Sequence, residues 1–226
     1  MPVATSTEGH YDADYFEWEK GIAEFGAWAH SSKFQNSIRP TDAVVDFGCG
    51  GGYLLHKLNC RDRIGIDPNP SSAEVAARLN VRHYFNSRDA VRELGDGFAD
   101  VIISVHALEH TANPLQELKD LYPLLKPGGK MHFLVPHDSV KKMWSPNDIN
   151  QHLFSWSPMN LGNLFTHAGY EVEYAAPYLH KWPPRSKQIA ALGWSVFNLA
   201  CFIYGHIEQS VTQVELRARK PSSETK

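Results

Sequence analysis

The chain has 226 residues, enough for one domain with a small appendage, and 42% of them are hydrophobic, enough to build a core. Its 22 basic and 25 acidic residues leave a net charge of −3, which offers no electrostatic footprint for nucleic acid. The three cysteines are too few and odd in number for a disulfide framework, and residues 1–9 lack a basic-then-apolar secretory pattern; both point to a reducing, cytoplasmic setting.

Apolar spacing predicts a helix over residues 14–31, and Arg39-Pro40 marks a boundary behind it. Residues 43–47 are β-branched and apolar and read as a buried parallel strand. Gly48, Gly50, Gly51 and Gly52 then allow a sharp turn and close approach to a ligand. Residues 51–58 read as the next helix, whose free N–H groups would face whatever sits on the turn. A dinucleotide site would place a third glycine where this chain has Tyr53, so that match is poor.

A second buried strand, residues 63–67, ends in Asp67. This lies about twenty residues past the first glycine, where such folds place the carboxylate that holds ribose hydroxyls; Pro68 follows it directly. Residues 72–79 read as helix and 81–85 as strand, followed by Asn86, Ser87 and Asp89. Residues 98–104 form a fourth strand ending in Ser104, and residues 115–125 a helix opened by Asn113-Pro114. Lys126-Pro127-Gly128-Gly129-Lys130 stops that helix, and residues 131–135 are the fifth strand. The alternation predicts a doubly wound α/β fold with a mostly parallel sheet.

Beyond this, a helix is expected near 158–168, a strand at 170–176 and a last strand at 211–218. The uncharged run 189–207 is too interrupted by Gly193, Ser195, Asn198, Gly205 and His206 to read as a membrane span. A buried or dimer-forming helix, giving a homodimer, or a helix in peripheral membrane contact remains open. The expected organisation is a helical cap over 1–40, a core over 41–178 and 208–220, and a helical insertion over 179–207 that serves as substrate lid, dimer element or membrane contact.

Asp46-x-Gly48-x-Gly50-Gly51-Gly52 resembles motif I of the class I S-adenosylmethionine-dependent methyltransferases. The run DVIISVHALEH…LYPLLKPGGKMHFLVP resembles the same family, and the likeness covers about residues 40–176. It implies a Rossmann-like seven-stranded sheet with an antiparallel C-terminal hairpin, S-adenosylmethionine as methyl donor and S-adenosylhomocysteine as product. It also implies a cofactor site formed from Tyr11, Asp46, Gly48, Gly50, Asp67, Pro68, Asn86, Ser87, Ser104 and His106. DADYFEW, HALEHTANPL and HLFSWSPMNLGNLFTHAGYEV look like bacterial methyltransferases of polysaccharide and sugar-nucleotide pathways. The acceptor implied is a small molecule, a sugar or sugar nucleotide methylated on oxygen or nitrogen; an RNA O-methyltransferase with metal assistance and a non-catalytic cofactor-binding partner are the alternatives.

Ligands of open α/β sheets lie beyond the carboxyl ends of the strands, which places His106 and His137 before the methyl donor. Either suits a general base, with His152, on the loop over the same mouth, as the reserve. His106, Glu109 and His110 share a helix face at i, i+3 and i+4 and, with His137 or His152, could hold a divalent metal. They are similar to the Glu-x-x-Glu-His cluster of metal-dependent small-RNA 2′-O-methyltransferases, with His106 in place of the first acid. A metal-free, structural Glu-His is the expected reading, and the inverted zinc-peptidase pattern His-x-x-Glu-His lacks its context. Cys49 reads as a packing residue, while Trp144, Trp156 and Trp182 belong to the core or to an acceptor pocket.

Overall fold

The computed structural model of the protein describes residues 13–222 other than Val140 and Ile149, with side chains described from residue 23 onward. Tyr11 therefore lies outside the described residues.

The strands are β1 (Ala43–Phe47), β2 (Asp62–Ile66), β3 (Arg82–Tyr84), β4 (Ala99–Val105), β5 (Leu125–Asp138), β6 (Glu171–Tyr178) and β7 (Val211–Arg219). The helices are α1 (Ala13–Gln35), α2 (Tyr53–Lys57), α3 (Pro70–Arg78), α4 (Ser87–Leu94), α5 (Pro114–Leu121), α6 (Pro158–His167), α7 (Ser186–Ala190) and α8 (Trp194–Ile207). One seven-stranded sheet runs in the order β3-β2-β1-β4-β5-β7-β6. β1 to β5 pair in parallel, whereas β7 lies antiparallel between β5 and β6.

The period-two alternation of the strands sorts their side chains onto two faces. Val44, Val101 and Ile103 pack with Phe34 of α1, Leu55 of α2 and Ala76 of α3. Val45, Phe47 and Ile102 pack with Ala90 of α4, Leu118 of α5 and Phe165 of α6. The central strands are therefore apolar on both sides, as a covered parallel sheet requires. Ser157 opens α6 with a reciprocal cap, its Oγ accepting from Asn160 N while Asn160 Oδ1 accepts from Ser157 N.

Three elements depart from expectation. α4 is a helix where the sequence reading assigned no element; Asn86 caps it, Oδ1 accepting from Asp89 N at 2.9 Å. β5 begins at Leu125, before the expected stop, because Pro127, Gly128 and Gly129 bulge out of the ladder: Ala99 pairs with Leu125 and Val101 with Lys130. α1 continues to Gln35, four residues past the expected end, and buries Phe34.

α7 and α8 stand between β6 and β7. α8 packs on α1 through an aromatic cluster in which Phe25 meets Phe197 and Trp182 edge-on, at 5.5 and 4.9 Å between centroids. Gly205 seats α8 against the chain at Leu179–His180, since a Cβ there would lie 2.7 Å from the Leu179 carbonyl. The outer face of α8 exposes Leu199, Phe202, Ile203 and Ile207. Among the described residues no helix is long and apolar enough to cross a membrane.

Candidate functional site

β1 delivers the chain into the glycine turn at the carboxyl edge of the sheet. Gly48, Gly50 and Gly52 all have positive φ, at 77, 49 and 78°, which a side chain resists. Gly48 N and Cys49 N both donate to Ile66 O at the end of β2, at 2.8 and 3.2 Å. Gly50 N donates to Asp67 Oδ2 at 2.9 Å, and Asn69 N to Asp67 Oδ1 at 2.9 Å. The acid at the end of β2 and the turn after β1 thus form one unit. Gly48→Val should destabilise this unit by about 2–4 kcal/mol, because it adds left-handed strain to overpacking; a Cβ at Gly48 would lie 2.1 Å from Ala107 Cβ. Chemical denaturation would measure that loss.

Above the turn is a cavity of about 600 Å³, within the range of small-molecule sites. Asp46, Gly48, Cys49 and Gly50 line one side, and His106, His110 and His152 another. α1 covers it with Ala23, Gly26, Ala27 and His30, an i, i+3, i+4, i+7 face of small residues ending in an imidazole. His180, Lys181, Trp182 and, from β7, Gln213 complete the wall.

Charge inside this space is held down by desolvation. Asp46 is buried, and burial, reinforced by Asp67, pushes its carboxyl well above the ordinary range. Burial also raises Asp67, against the amides of Asn69 and Gly50 that lower it. His106 follows β4 on the cavity wall with a φ of 52°, and its side chain is exposed to the open cleft. Desolvation by the surrounding protein lowers its pKa, aided by His152 and against an opposing effect of Gln213, so the ring is neutral at pH 7. His30 is lowered to about 3 by burial and by the neighbouring His106. Burial raises the Cys49 thiol well above its usual value, and it stays protonated.

Of the expected site residues, Asp46, Gly48, Gly50, His106 and His152 face the cavity. Asp67 stands beside it, joined to the turn through Gly50, and Pro68 is exposed next to it. Ser104 is not on the cavity wall: it is fully buried, and its Oγ donates to Phe47 O at 2.7 Å, clamping β4 to β1. Asn86 is occupied as the cap of α4, and Ser87 is buried behind it. His137 is turned away, its Nδ1 held 2.9 Å from Trp156 O. Of Trp144, Trp156 and Trp182, only Trp182 lines the cavity; Trp156 is buried under Phe154 and Trp144 is exposed.

The metal-ligand grouping is also rearranged. Glu109 and His110 come together with His152, not with His106 or His137. The left-handed residue His106 breaks the helical run that would have aligned it, leaving a short 3-10 turn at Leu108–His110.

The strand order with a reversed β7, the glycine turn and the acid at the end of β2 together define the class I S-adenosylmethionine-dependent methyltransferases. Residues 11–175 match the methyltransferase domain family, and the chain belongs to it.

Among curated relatives, the ubiquinone biosynthesis O-methyltransferase of Parvibaculum lavamentivorans is 29% identical over 126 residues, 50% of this chain and 48% of that protein. The protein of the same name from Ruegeria pomeroyi is 33% identical over 95 residues, covering 38% of each. The chain thus spans about half or less of the curated relatives it matches. Among solved structures, the methyltransferase of a Haloferax volcanii complex with a methyltransferase activator is similar at a TM-score of 0.71 and 20% identity, covering 98% of this chain and 100% of that one. A Thermotoga maritima S-adenosylmethionine-dependent methyltransferase is similar at a TM-score of 0.64 and 16% identity, covering 93% and 97%.

Proposed function

We propose that the protein transfers the methyl group of S-adenosylmethionine to a hydroxyl oxygen of a small molecule. The observation that carries this reading is the single cavity faced by the glycine turn, the buried Asp46 and the neutral His106. The residues fit the cofactor. The ammonium of its amino-acid tail would draw the raised carboxyl of Asp46 into its ionised form, and the turn leaves room for the tail because no side chain projects from Gly48, Gly50 or Gly51. Asp67 retains lone pairs for the ribose hydroxyls beyond those used by Gly50 N and Asn69 N.

When bound, S-adenosylmethionine supplies an electrophilic methyl carbon on a good, neutral leaving group. The chain's own work is alignment, worth up to roughly 7–11 kcal/mol, and removal of a proton. The chain would hold the acceptor oxygen in line with that methyl carbon, and His106 would take the hydroxyl proton on a ring nitrogen as the methyl group leaves the sulfur. Trp182 and α1 form one wall of this cavity. The acceptor is a sugar hydroxyl, as the sequence resemblance suggests, or an intermediate of ubiquinone biosynthesis, as the relatives' names suggest.

Calorimetric titration with S-adenosylmethionine, followed by detection of S-adenosylhomocysteine over both acceptor sets, tests the reading. Micromolar binding is expected, weakened about 10²–10⁴-fold in Asp67→Ala, as fits the loss of two charge-assisted hydrogen bonds of about 1.5–3 kcal/mol each. Unchanged affinity in that variant would remove the site.

A further inference from the structure

We propose that the outer face of α8 docks on the surface of an anionic lipid bilayer. Phe197, Cys201 and Gly205, at i, i+4 and i+8, form the side that α8 turns into its own chain. Val196, Leu199, Ile203 and Ile207, at i, i+3, i+7 and i+11, make a second apolar stripe on the opposite side. These four are 45–77% exposed. A helix that is apolar all round belongs inside something, and the chain covers one side of this one. Single exposed apolar residues are ordinary, whereas a contiguous stripe marks a contact surface.

Charge selects the occupant. Between Glu173 and Glu208 the chain has no acidic residue and three basic ones, Lys181, Arg185 and Lys187. Lys181 is paired with Glu208. Arg185 and Lys187, at the start of α7, are exposed and form no ion pair among the described residues. α7 packs against α8, so two free cations flank an uncharged apolar stripe. A second copy of the chain seated here would add two more cations and no acid from the same stretch, a like-charge juxtaposition that disfavours pairing. Lipid phosphates answer both cations directly.

Length fixes the orientation. The 14 residues of α8 extend about 21 Å, short of a hydrocarbon layer of about 30 Å. The helix therefore lies in the interfacial plane, with Trp194 at its start at the level of the headgroups. Lys181 and Trp182, on the connector before α7, line the cavity, so the docked surface borders the cavity wall. The docking itself does not depend on the methyl-transfer reading.

The test is flotation of the full chain with phosphatidylcholine vesicles made with and without phosphatidylglycerol. Binding to the anionic vesicles is expected, weakening as salt screens the cations. Replacing both cations, Arg185→Gln with Lys187→Gln, should reduce it about 10–30-fold. Leu199→Ser with Ile203→Ser should reduce it at least about tenfold. A thermal melt on each variant reports folding; should the serine pair fail to fold, the glutamine pair decides. Wild-type protein that stays off the anionic vesicles overturns the proposal, as does binding undiminished in folded variants or equal on both vesicle types. Light scattering gives the competing outcome its own signature: a dimer that the serine pair dissociates, with no vesicle binding, would assign the stripe to a second copy.

Discussion

His106→Ala should lower kcat for methyl transfer by about 10²–10⁴-fold, the usual contribution of a positioned general base, while leaving S-adenosylhomocysteine affinity within about twofold. The residue ends β4 at the cavity floor, its backbone N donating to Leu134 O at 2.9 Å, so the ring is held on two neighbouring strands. A base works only when unprotonated. With its pKa lowered by desolvation, His106 is unprotonated across the neutral range, and the rate should stay level at about pH 7–8 and fall in acid as the ring protonates. Unchanged turnover in the alanine variant would mean an acceptor that needs no base, such as a neutral amine nitrogen.

Glu215→Gln should cost about 3–5 kcal/mol of stability, the expected effect of removing one partner from a buried ion pair. For a chain of this size that amounts to roughly 10 °C in the thermal midpoint. Glu215, on β7, is 5% exposed; it accepts from Lys33 of α1 at 2.8 Å and, through Oε1, from His132 of β5 at 2.9 Å and Arg217 at 2.8 Å. Burial pushes its carboxyl upward, but His132 and Lys33 outweigh burial and hold it well below the usual range. His132 is lowered by burial and stays neutral, so its Nε2 carries the donated hydrogen. A depressed carboxylate stabilises the fold above its unfolded pKa, about 4.5, and loses that contribution as pH falls below it. Thermal melts at pH 7 and pH 3.5 should therefore show the wild-type advantage shrinking in acid.

Much of the fold was legible because its signals are local. Ala43–Phe47 emerges as a strand from four apolar or β-branched positions and one acid, and the glycines after it require a turn on any reading. The link between Asp67 and the turn was legible as spacing, since adjacent parallel strands bring their carboxyl ends together. α4 was obscured because Asn86 and Asp89 carry two meanings, ligand donor and helix cap, and the cap is what the structure uses. The histidines were harder still. Whether His137 or His152 faces the cavity depends on hydrogen bonds between Trp156, Pro136, Glu109 and Leu153, groups far apart in the chain. His30 could have been found: Ala23, Gly26, Ala27 and His30 recur at helical spacing, and a small-residue face ending in a polar group fits the roof of a pocket.

The seat of α8 has a mechanical consequence. Gly205 rests directly on the Leu179–His180 backbone, and Lys181 N donates to Cys201 O at 3.1 Å, so helix and connector are fastened at two points. The next side chains along that connector, Lys181 and Trp182, are part of the cavity wall. This stretch of the chamber's lining is therefore riveted straight to α8, with no strand of the sheet in between.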